Sequence, residues 1–121
     1  MPKVENRHSI STALDEHPLS VNDAWEGRRF KTPEYKEFEE ICLYTLPKKR
    51  MLRGIVEIEY RFHLKYHKTS DYDNFIKCFQ DILVKRGYIE DDRFIYKATI
   101  YKIPSEREQD RIEVIIKPYT L

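Results

Sequence analysis

The fold of this chain follows most directly from residues 71–87, which read DYDNFIKCFQDILVKRG. Apolar side chains recur there at helical spacing, at Phe75, Ile76, Phe79, Ile82 and Leu83. Asp73 and Asn74 precede that stripe and are favourable N-cap residues. Gly87 follows the last apolar turn, where a glycine commonly ends a helix. We therefore predict a helix over residues 74–86.

Acidic side chains flank this predicted helix. Asp71 and Asp73 lie two residues apart before it, so in an extended segment they would leave on the same side, roughly 7 Å apart. On a helix they would point to different sides. Asp91 and Asp92 follow the helix and open the next predicted strand. If that strand lies beside the Asp71 segment, three or four carboxylates converge.

A convergence of carboxylates would suit a hard divalent cation. Mg²⁺ takes oxygen ligands, and unpaired carboxylates that repel one another are neutralised by a cation. Bound Mg²⁺ activates water and stabilises charge on a phosphodiester, and Lys77 would add positive charge there. The simpler interpretation stays open: Asp73 or Asn74 caps the helix, the Asp91-Asp92 pair is a solvated turn, and Lys77 pairs with Asp81 four residues on.

Composition limits the class of protein. The chain has 121 residues, enough for one domain with a modest core, and 40% hydrophobic with 36% charged residues indicates a soluble globular protein. No apolar run reaches the ~20 residues of a membrane span, and the N-terminus lacks a signal peptide, so we expect a cytoplasmic protein with no membrane association. Cys42 and Cys78 fall beside apolar helical positions and are expected to be buried thiols.

The remaining elements predict an α+β fold. A Thr32-Pro33-Glu34 start and Pro47 delimit another helix. Strands are predicted at residues 54–64, 93–103 and 111–117, with a further one near residues 8–14 and a loop from Pro18 to Phe30. We predict one small mixed β-sheet with two helices packed on one face. The helix at 74–86 can serve a parallel crossover, and the last two strands are close enough for an antiparallel hairpin.

Two separated motifs resemble the RusA family of Holliday-junction resolvases. The first is D-x-D-N-x-x-K at residues 71–77, followed by a helix, a glycine and a D-D pair that opens a strand. The second begins at Pro18-Leu19-Ser20-Val21-Asn22 and continues through Gly27-Arg28-Arg29-Phe30 and Tyr35. The similarity covers about residues 18–117. We therefore divide the chain into a loosely ordered segment with an edge strand, residues 1–17, and a single RusA-like nuclease domain, residues 18–121.

The resemblance implies roles for the acidic residues and the lysine. Asp71, Asp73 and Asp92 match the catalytic carboxylates of the family, and Lys77 matches the lysine that the family also requires. These three aspartates, with Asp91 as a further ligand, would hold Mg²⁺, for which Mn²⁺ is expected to substitute. The resemblance also implies a homodimer acting on a four-way DNA junction. Resolvases of this kind are often encoded by bacteriophages or prophages, which would place this one in the cytoplasm of a bacterial host.

Basic side chains near these motifs are candidates for DNA binding. The candidates are Arg28, Arg29, Lys31, Lys65, His67 and Lys68. The net charge is only +1, so phosphate binding would depend on such local patches, and a mixed solvated surface is the alternative. The run from Lys65 to Ser70 contains no arginine, unlike the arginine-rich run of the resolvase that it resembles. That departure affects the expected strength of DNA binding.

The sequence thus predicts a Mg²⁺-dependent, structure-specific endonuclease. It would resolve Holliday junctions by paired phosphodiester hydrolysis in DNA recombination and repair. Two alternatives stay open: a non-catalytic DNA-binding protein on the same fold, and a nuclease for other branched DNA such as flaps. The motifs at residues 71–77 and 91–92 argue against the first alternative, because core packing does not require so many clustered acids.

Overall fold

Two helices lie across one face of a four-stranded sheet in this computed structural model, which describes residues 8–27 and 30–121. The elements in chain order are β1 (Ile10–Leu14), α1 (Val21–Ala24), β2 (Trp25–Glu26), β3 (Phe30–Lys31), α2 (Pro33–Thr45), β4 (Val56–Leu64), α3 (Ile76–Arg86), β5 (Ile95–Pro104) and β6 (Arg111–Pro118). Short 3₁₀ turns cover His67–Thr69, Tyr72–Phe75 and Asp92–Phe94. The predicted α+β fold, a small mixed sheet with two helices packed on one face, is confirmed.

The main sheet has the strand order β1-β6-β4-β5. β4 and β5 pair in parallel, so α3 provides the predicted crossover between them. The predicted hairpin of the last two strands is wrong, because β6 pairs antiparallel with β4 and β1 instead of with β5. β6 buries Ile112, Val114 and Ile116 and so suits the interior of the sheet. β5 exposes Lys97 and Lys102, which are typical of an edge strand.

The core lies between this sheet and the helices α2 and α3. β4 alternates as predicted, and its buried side chains are Val56, Ile58, Tyr60, Phe62 and Leu64. Phe79, Ile82 and Leu83 of α3 pack in the same cluster. Cys42 and Cys78 are buried free thiols, as predicted, and burial raises the pKa of Cys78 to about 11. They therefore serve packing and have little thiolate character.

Helix ends follow local side-chain chemistry at the start of α2 and at the end of α3. The Thr32 hydroxyl accepts a hydrogen bond from the Tyr35 backbone N–H, and Pro33 occupies the first turn. Gly87 has φ +88° and donates its N–H to the carbonyls of Leu83 and Val84. The prediction of Asp73 or Asn74 as N-cap is wrong. The 3₁₀ turn Tyr72–Phe75 takes that place, so Phe75 precedes α3 without any side-chain cap.

The segment from Pro18 to Phe30 contains more structure than the predicted loop. Ser20 caps the short helix α1, and β2 pairs with β3 as a small second sheet. The ring of Trp25, the single tryptophan, meets the Tyr35 ring edge-on at 5.3 Å between centroids. Upstream, β1 forms an edge strand where a strand was expected. Trp25 thus anchors this segment against α2.

Hydrogen bonds tie the turn after α3 to the turn after α2. Arg86 Nε donates to the Leu46 carbonyl at 3.0 Å, and the Tyr88 hydroxyl donates to the Pro47 carbonyl. The Leu52 backbone N–H donates to the Tyr88 carbonyl at 2.9 Å. These bonds fix the chain just before Asp91 and Asp92.

Within residues 8–27 and 30–121, none of the helices has the length and apolar character needed to cross a bilayer.

Replacing Gly87 tests whether its left-handed conformation ends α3. A Cβ added at this position would meet no atom of the described residues within 4 Å outside its own turn, so the cost of a side chain is conformational. We expect Gly87→Ala to lower the free energy of unfolding by about 1 kcal/mol, and Gly87→Asn to cost less because asparagine tolerates this region better. Urea unfolding of the three proteins measures the difference. Equal midpoints would show that the glycine is not required there.

Candidate active site

The chain leaves β4 and curls over the edge of β5 before α3 begins. The Tyr66 carbonyl closes the first turn of this path by accepting hydrogen bonds from the hydroxyls of Thr69 and Ser70. Lys102 of β5 then donates to the Ser70 carbonyl at 2.8 Å. Asp71 follows immediately in an extended conformation, with φ −84° and ψ 128°. The first candidate carboxylate is therefore held at the sheet edge by backbone contacts on its N-terminal side.

Asp71 and Asp73 are exposed acids that no side chain in the described ranges neutralises. Asp73 lies inside the 3₁₀ turn Tyr72–Phe75, and its carbonyl accepts from the Ile76 backbone N–H. The extended geometry considered for the pair thus applies to Asp71 only. Neither carboxylate makes a hydrogen bond or ion pair with any residue in the described part of the chain. Two such carboxylates this close in sequence are available to a ligand.

Asp91 and Asp92 lie at the entrance to β5 and have different surroundings. The Asp91 carboxylate accepts a hydrogen bond from the Arg93 backbone N–H and so caps the 3₁₀ turn Asp92–Phe94. Hydrogen bonding with the Asp92 side chain, followed by this backbone N–H, lowers the pKa of Asp91. Asp91 therefore supports the local turn, whereas Asp92 projects toward α3.

Lys77 connects the start of α3 to Asp92. Its Nζ lies 3.1 Å from Asp81 Oδ1 and 3.5 Å from Asp92 Oδ2. The pairing with Asp81 that sequence spacing offered is confirmed, and the contact with Asp92 adds a residue 15 positions away. The hydrogen bond to Asp81 is the largest cause that raises the pKa of Lys77. Lys77 is therefore a cation at neutral pH and cannot act as a general base.

The predicted convergence of three or four carboxylates is not found among the described residues. Over residues 8–27 and 30–121, no three His, Cys, Asp or Glu side chains come together as a metal-binding group. The structure brings Asp92 to Lys77 and leaves Asp71 and Asp73 without a partner among the described side chains. Mg²⁺ in proteins is commonly held by one or two carboxylates, with waters and substrate phosphates as the other ligands. The exposed oxygen donors here fit that coordination chemistry.

The predicted DNA-binding residues have unequal surroundings. Lys31 donates to Glu39 at 2.9 Å and lies over the Tyr35 ring, so it is held against α2. Lys65 lies 3.5 Å from Glu108, an exposed partner, and both Lys65 and Lys68 are exposed on the segment that leads to the candidate carboxylates. His67 is half-buried between them. Arg28 and Arg29 lie outside the described residues.

A comparison of the sequence with protein families matches the chain to a family of nucleases. A family model described as endodeoxyribonuclease RusA matches residues 3–117, nearly the whole chain. The chain belongs to the RusA family. Membership makes it a nuclease of the kind associated with Holliday-junction resolution, and it confirms the resemblance seen in the motifs. A search of curated proteins found no match.

Sequence reasoning missed several residues beside the site of this RusA-family protein. Tyr66 and Tyr72 are 71% and 55% exposed and lie on either side of Asp71 in the chain. Both were visible in the sequence as aromatic residues within polar runs, the pattern of a nucleic-acid surface. Lys102 had no such signal, because its proximity to Ser70 arises from the pairing of β4 with β5. His63 hydrogen-bonds Glu113 on the face of the sheet away from the helices.

Replacing Asp81 tests the origin of the Lys77 charge state. Since the Asp81 hydrogen bond is the largest cause of the raised pKa, we expect Asp81→Ala to lower the pKa of Lys77 more than Asp92→Ala does. NMR titration of the lysine side-chain signals measures each shift. A raised pKa stabilises the folded protein at pH values below the unfolded lysine pKa of about 10.4, and that stabilisation is lost as the pH rises through the folded pKa. An unchanged Lys77 pKa in Asp81→Ala would exclude this pairing in solution.

Proposed function

We propose that this RusA-family protein is a Mg²⁺-dependent endonuclease that resolves Holliday junctions by paired phosphodiester hydrolysis. The observation that carries the proposal is a pair of exposed carboxylates, Asp71 and Asp73, that have no partner among the described residues. They lie just before α3, which carries the Lys77–Asp92 contact. Core packing gives no reason for such acids. Family membership supplies the nuclease chemistry in which they have a use.

Asp71, Asp73 and Asp92 are the side chains that we propose hold Mg²⁺, with Asp91 supporting the turn that carries Asp92. When bound, the ion supplies activation of a water nucleophile and neutralisation of phosphate charge. Mn²⁺ has the same preference for oxygen ligands and would substitute. The hydrogen bond from Lys102 to the Ser70 carbonyl holds the Asp71 segment against β5, and the Asp91 cap holds the turn that carries Asp92. These restraints are the contribution of the fold to such a site.

Lys77 would bind the phosphate on which charge develops. Its ammonium group is positive at neutral pH, and Asp81 holds it at the start of α3, on the same side as Asp92. A fixed cation lowers the free energy of a transition state in which negative charge grows on phosphate oxygens. Because Lys77 is half-exposed, it can exchange one of its present partners for a phosphate oxygen without leaving the other.

The DNA surface is proposed to extend from the exposed lysines beside the site. Lys65 and Lys68 would contact phosphates, with His67, Lys31 and the arginines Arg28 and Arg29 as further contacts. The exposed Tyr66 lies between these lysines in the chain, the exposed Tyr72 directly follows Asp71, and both are suited to stacking on bases. A four-way junction requires two symmetric cuts, so a homodimer with two active sites suits the substrate. We propose that the enzyme acts in DNA recombination and repair, in the cytoplasm of a bacterial or phage-infected cell.

One observation favours a second candidate function. The described residues do not form a three-ligand metal group, which is what a non-catalytic junction-binding protein on this fold would show. A nuclease for flaps or other branched DNA would share the same surface and chemistry. Cleavage assays on defined substrates separate these three possibilities.

Cleavage of a synthetic four-way junction is the direct test. We expect paired nicks in opposing strands with Mg²⁺, none with EDTA, and little cutting of duplex, flap or single-stranded controls. We expect Asp73→Asn to abolish these nicks while the dissociation constant for the junction stays nearly unchanged, because the substitution removes a ligand charge and keeps the side-chain shape. Tight binding by the wild-type protein without cuts under any divalent ion would establish the non-catalytic alternative.

The salt dependence of binding tests the lysine surface. We expect Lys68→Ala to reduce the slope of log affinity against log salt concentration by about 1, because one phosphate contact is lost. Lys117→Ala is the matched control, since Lys117 is an exposed lysine on the face of the sheet away from the helices. Fluorescence anisotropy of a labelled junction over a series of salt concentrations measures both slopes. Equal slopes for the two variants would place the DNA elsewhere.

A further inference from the structure

The carboxylate of Asp110 joins two segments that are distant in sequence. Its Oδ1 accepts a hydrogen bond from the Lys65 backbone N–H at 2.9 Å. Its Oδ2 lies 2.6 Å from Nδ1 of His17, and that nitrogen donates because the carboxylate can only accept. The Asp110 side chain is only 12% exposed, although the His17 ring is 62% exposed. Both oxygens of Asp110 are thus used for contacts outside its own loop.

His17 makes a second contact that leads back to the active site. Its ring meets the ring of Phe75 nearly perpendicularly, with 5.9 Å between centroids. Phe75 is buried and is the last residue of the 3₁₀ turn before α3. Lys65 and Phe75 are therefore the two ends of one segment, residues 65–75, and this segment carries both Asp71 and Asp73.

We infer that Asp110 and His17 together form a positioning pair for the catalytic segment, residues 65–75. Asp110 fixes its first residue through the backbone of Lys65, and His17 fixes its last residue through the ring of Phe75. Between these ends, the hydrogen bond from Lys102 to the Ser70 carbonyl ties the segment to the sheet edge. The role assigned to Asp71 and Asp73 rests on the proposed function, whereas the restraint on the segment does not.

The physical reason for such a pair is the short, irregular path of the segment. It consists of 3₁₀ turns and extended residues, whose internal hydrogen bonds do not define the position of its ends relative to the sheet. A largely buried carboxylate that accepts two hydrogen bonds is a strong local restraint. Reacting groups must be held within a fraction of an ångström, and a displacement of about 1 Å can cost about 100-fold in rate.

The chain offers a matched control in Asp15. Its carboxylate lies 2.9 Å from Arg111 and 3.6 Å from Arg107, so it also joins the residues after β1 to the start of β6 and the loop before it. Unlike Asp110, it has no contact with residues 65–75 among its hydrogen bonds and ion pairs to described residues. Asp15→Ala therefore removes a link between the same two regions and leaves the catalytic segment untouched.

Hydrogen–deuterium exchange of the full-length protein tests the restraint without any metal or DNA. We expect Asp110→Ala to speed exchange of backbone amides in residues 65–75 by about tenfold, since losing a charge-assisted hydrogen bond costs enough to raise local opening by that factor. His17→Ala should speed exchange mainly near Phe75. Asp15→Ala should leave residues 65–75 at the wild-type rate. Equal exchange in Asp110→Ala and Asp15→Ala would overturn the proposal.

Cleavage and binding of a four-way junction then test the consequence. We expect Asp110→Ala to lower kcat by about 10- to 100-fold with a change of at most about threefold in the dissociation constant. Asp110→Asn should recover part of the rate, because its amide oxygen still accepts from the Lys65 N–H. If Asp110→Ala fails to fold, the rate of Asp110→Asn still tests the positioning role. Wild-type rates in both Asp110 variants would overturn the positioning role. Absence of cleavage by the wild-type protein would instead contradict the proposed function, and the exchange result would still decide the restraint.

Discussion

The parallel pairing of β4 with β5 is the constraint on which the candidate site depends. Parallel neighbours cannot be joined by a tight turn, so α3 must carry the chain back before β5 can begin. The path into α3 passes over the edge of β5, and the path out of it leads to the turn before the same strand. Lys77 and Asp92 meet there although 15 positions separate them. The site is therefore a consequence of the crossover itself.

Electrostatics distinguishes structural acids from those available to a ligand. Glu39 is partly buried, which raises its pKa, but hydrogen bonds from Lys85 and Lys31 outweigh that effect and the net pKa is lowered. Asp81 is likewise paired with Lys77, the lysine in the first turn of α3. Asp71 and Asp73 are exposed and have no such partner among the described residues. Repulsion between nearby carboxylates favours a bound cation, which is the physical basis for assigning them to metal and phosphate chemistry.

Local signals predicted the elements well where side-chain chemistry acts over one turn. Thr32 and Pro33 begin α2, Gly87 ends α3, and the alternation in β4 identifies its buried face. The same reasoning was wrong at Asp73 and Asn74, because a 3₁₀ turn that spans both residues leads into α3 in place of an N-cap. It was also wrong about the last two strands. Proximity in sequence favours a hairpin, but β6 gains more by pairing both of its edges, with β1 and with β4.

The sequence by itself determined the residue types of the site, the helix between the two acidic pairs, the α+β class with its mixed sheet, and the family. Motif spacing and side-chain periodicity are properties of neighbouring residues, so they are readable without a fold. Only the tertiary structure decided which of these residues meet. It paired Lys77 with Asp92, kept Asp71 and Asp73 free of described partners, and placed Asp110 and His17 against the ends of residues 65–75. Such contacts depend on strand order and on how the loops between strands pack, and neither is encoded in local spacing.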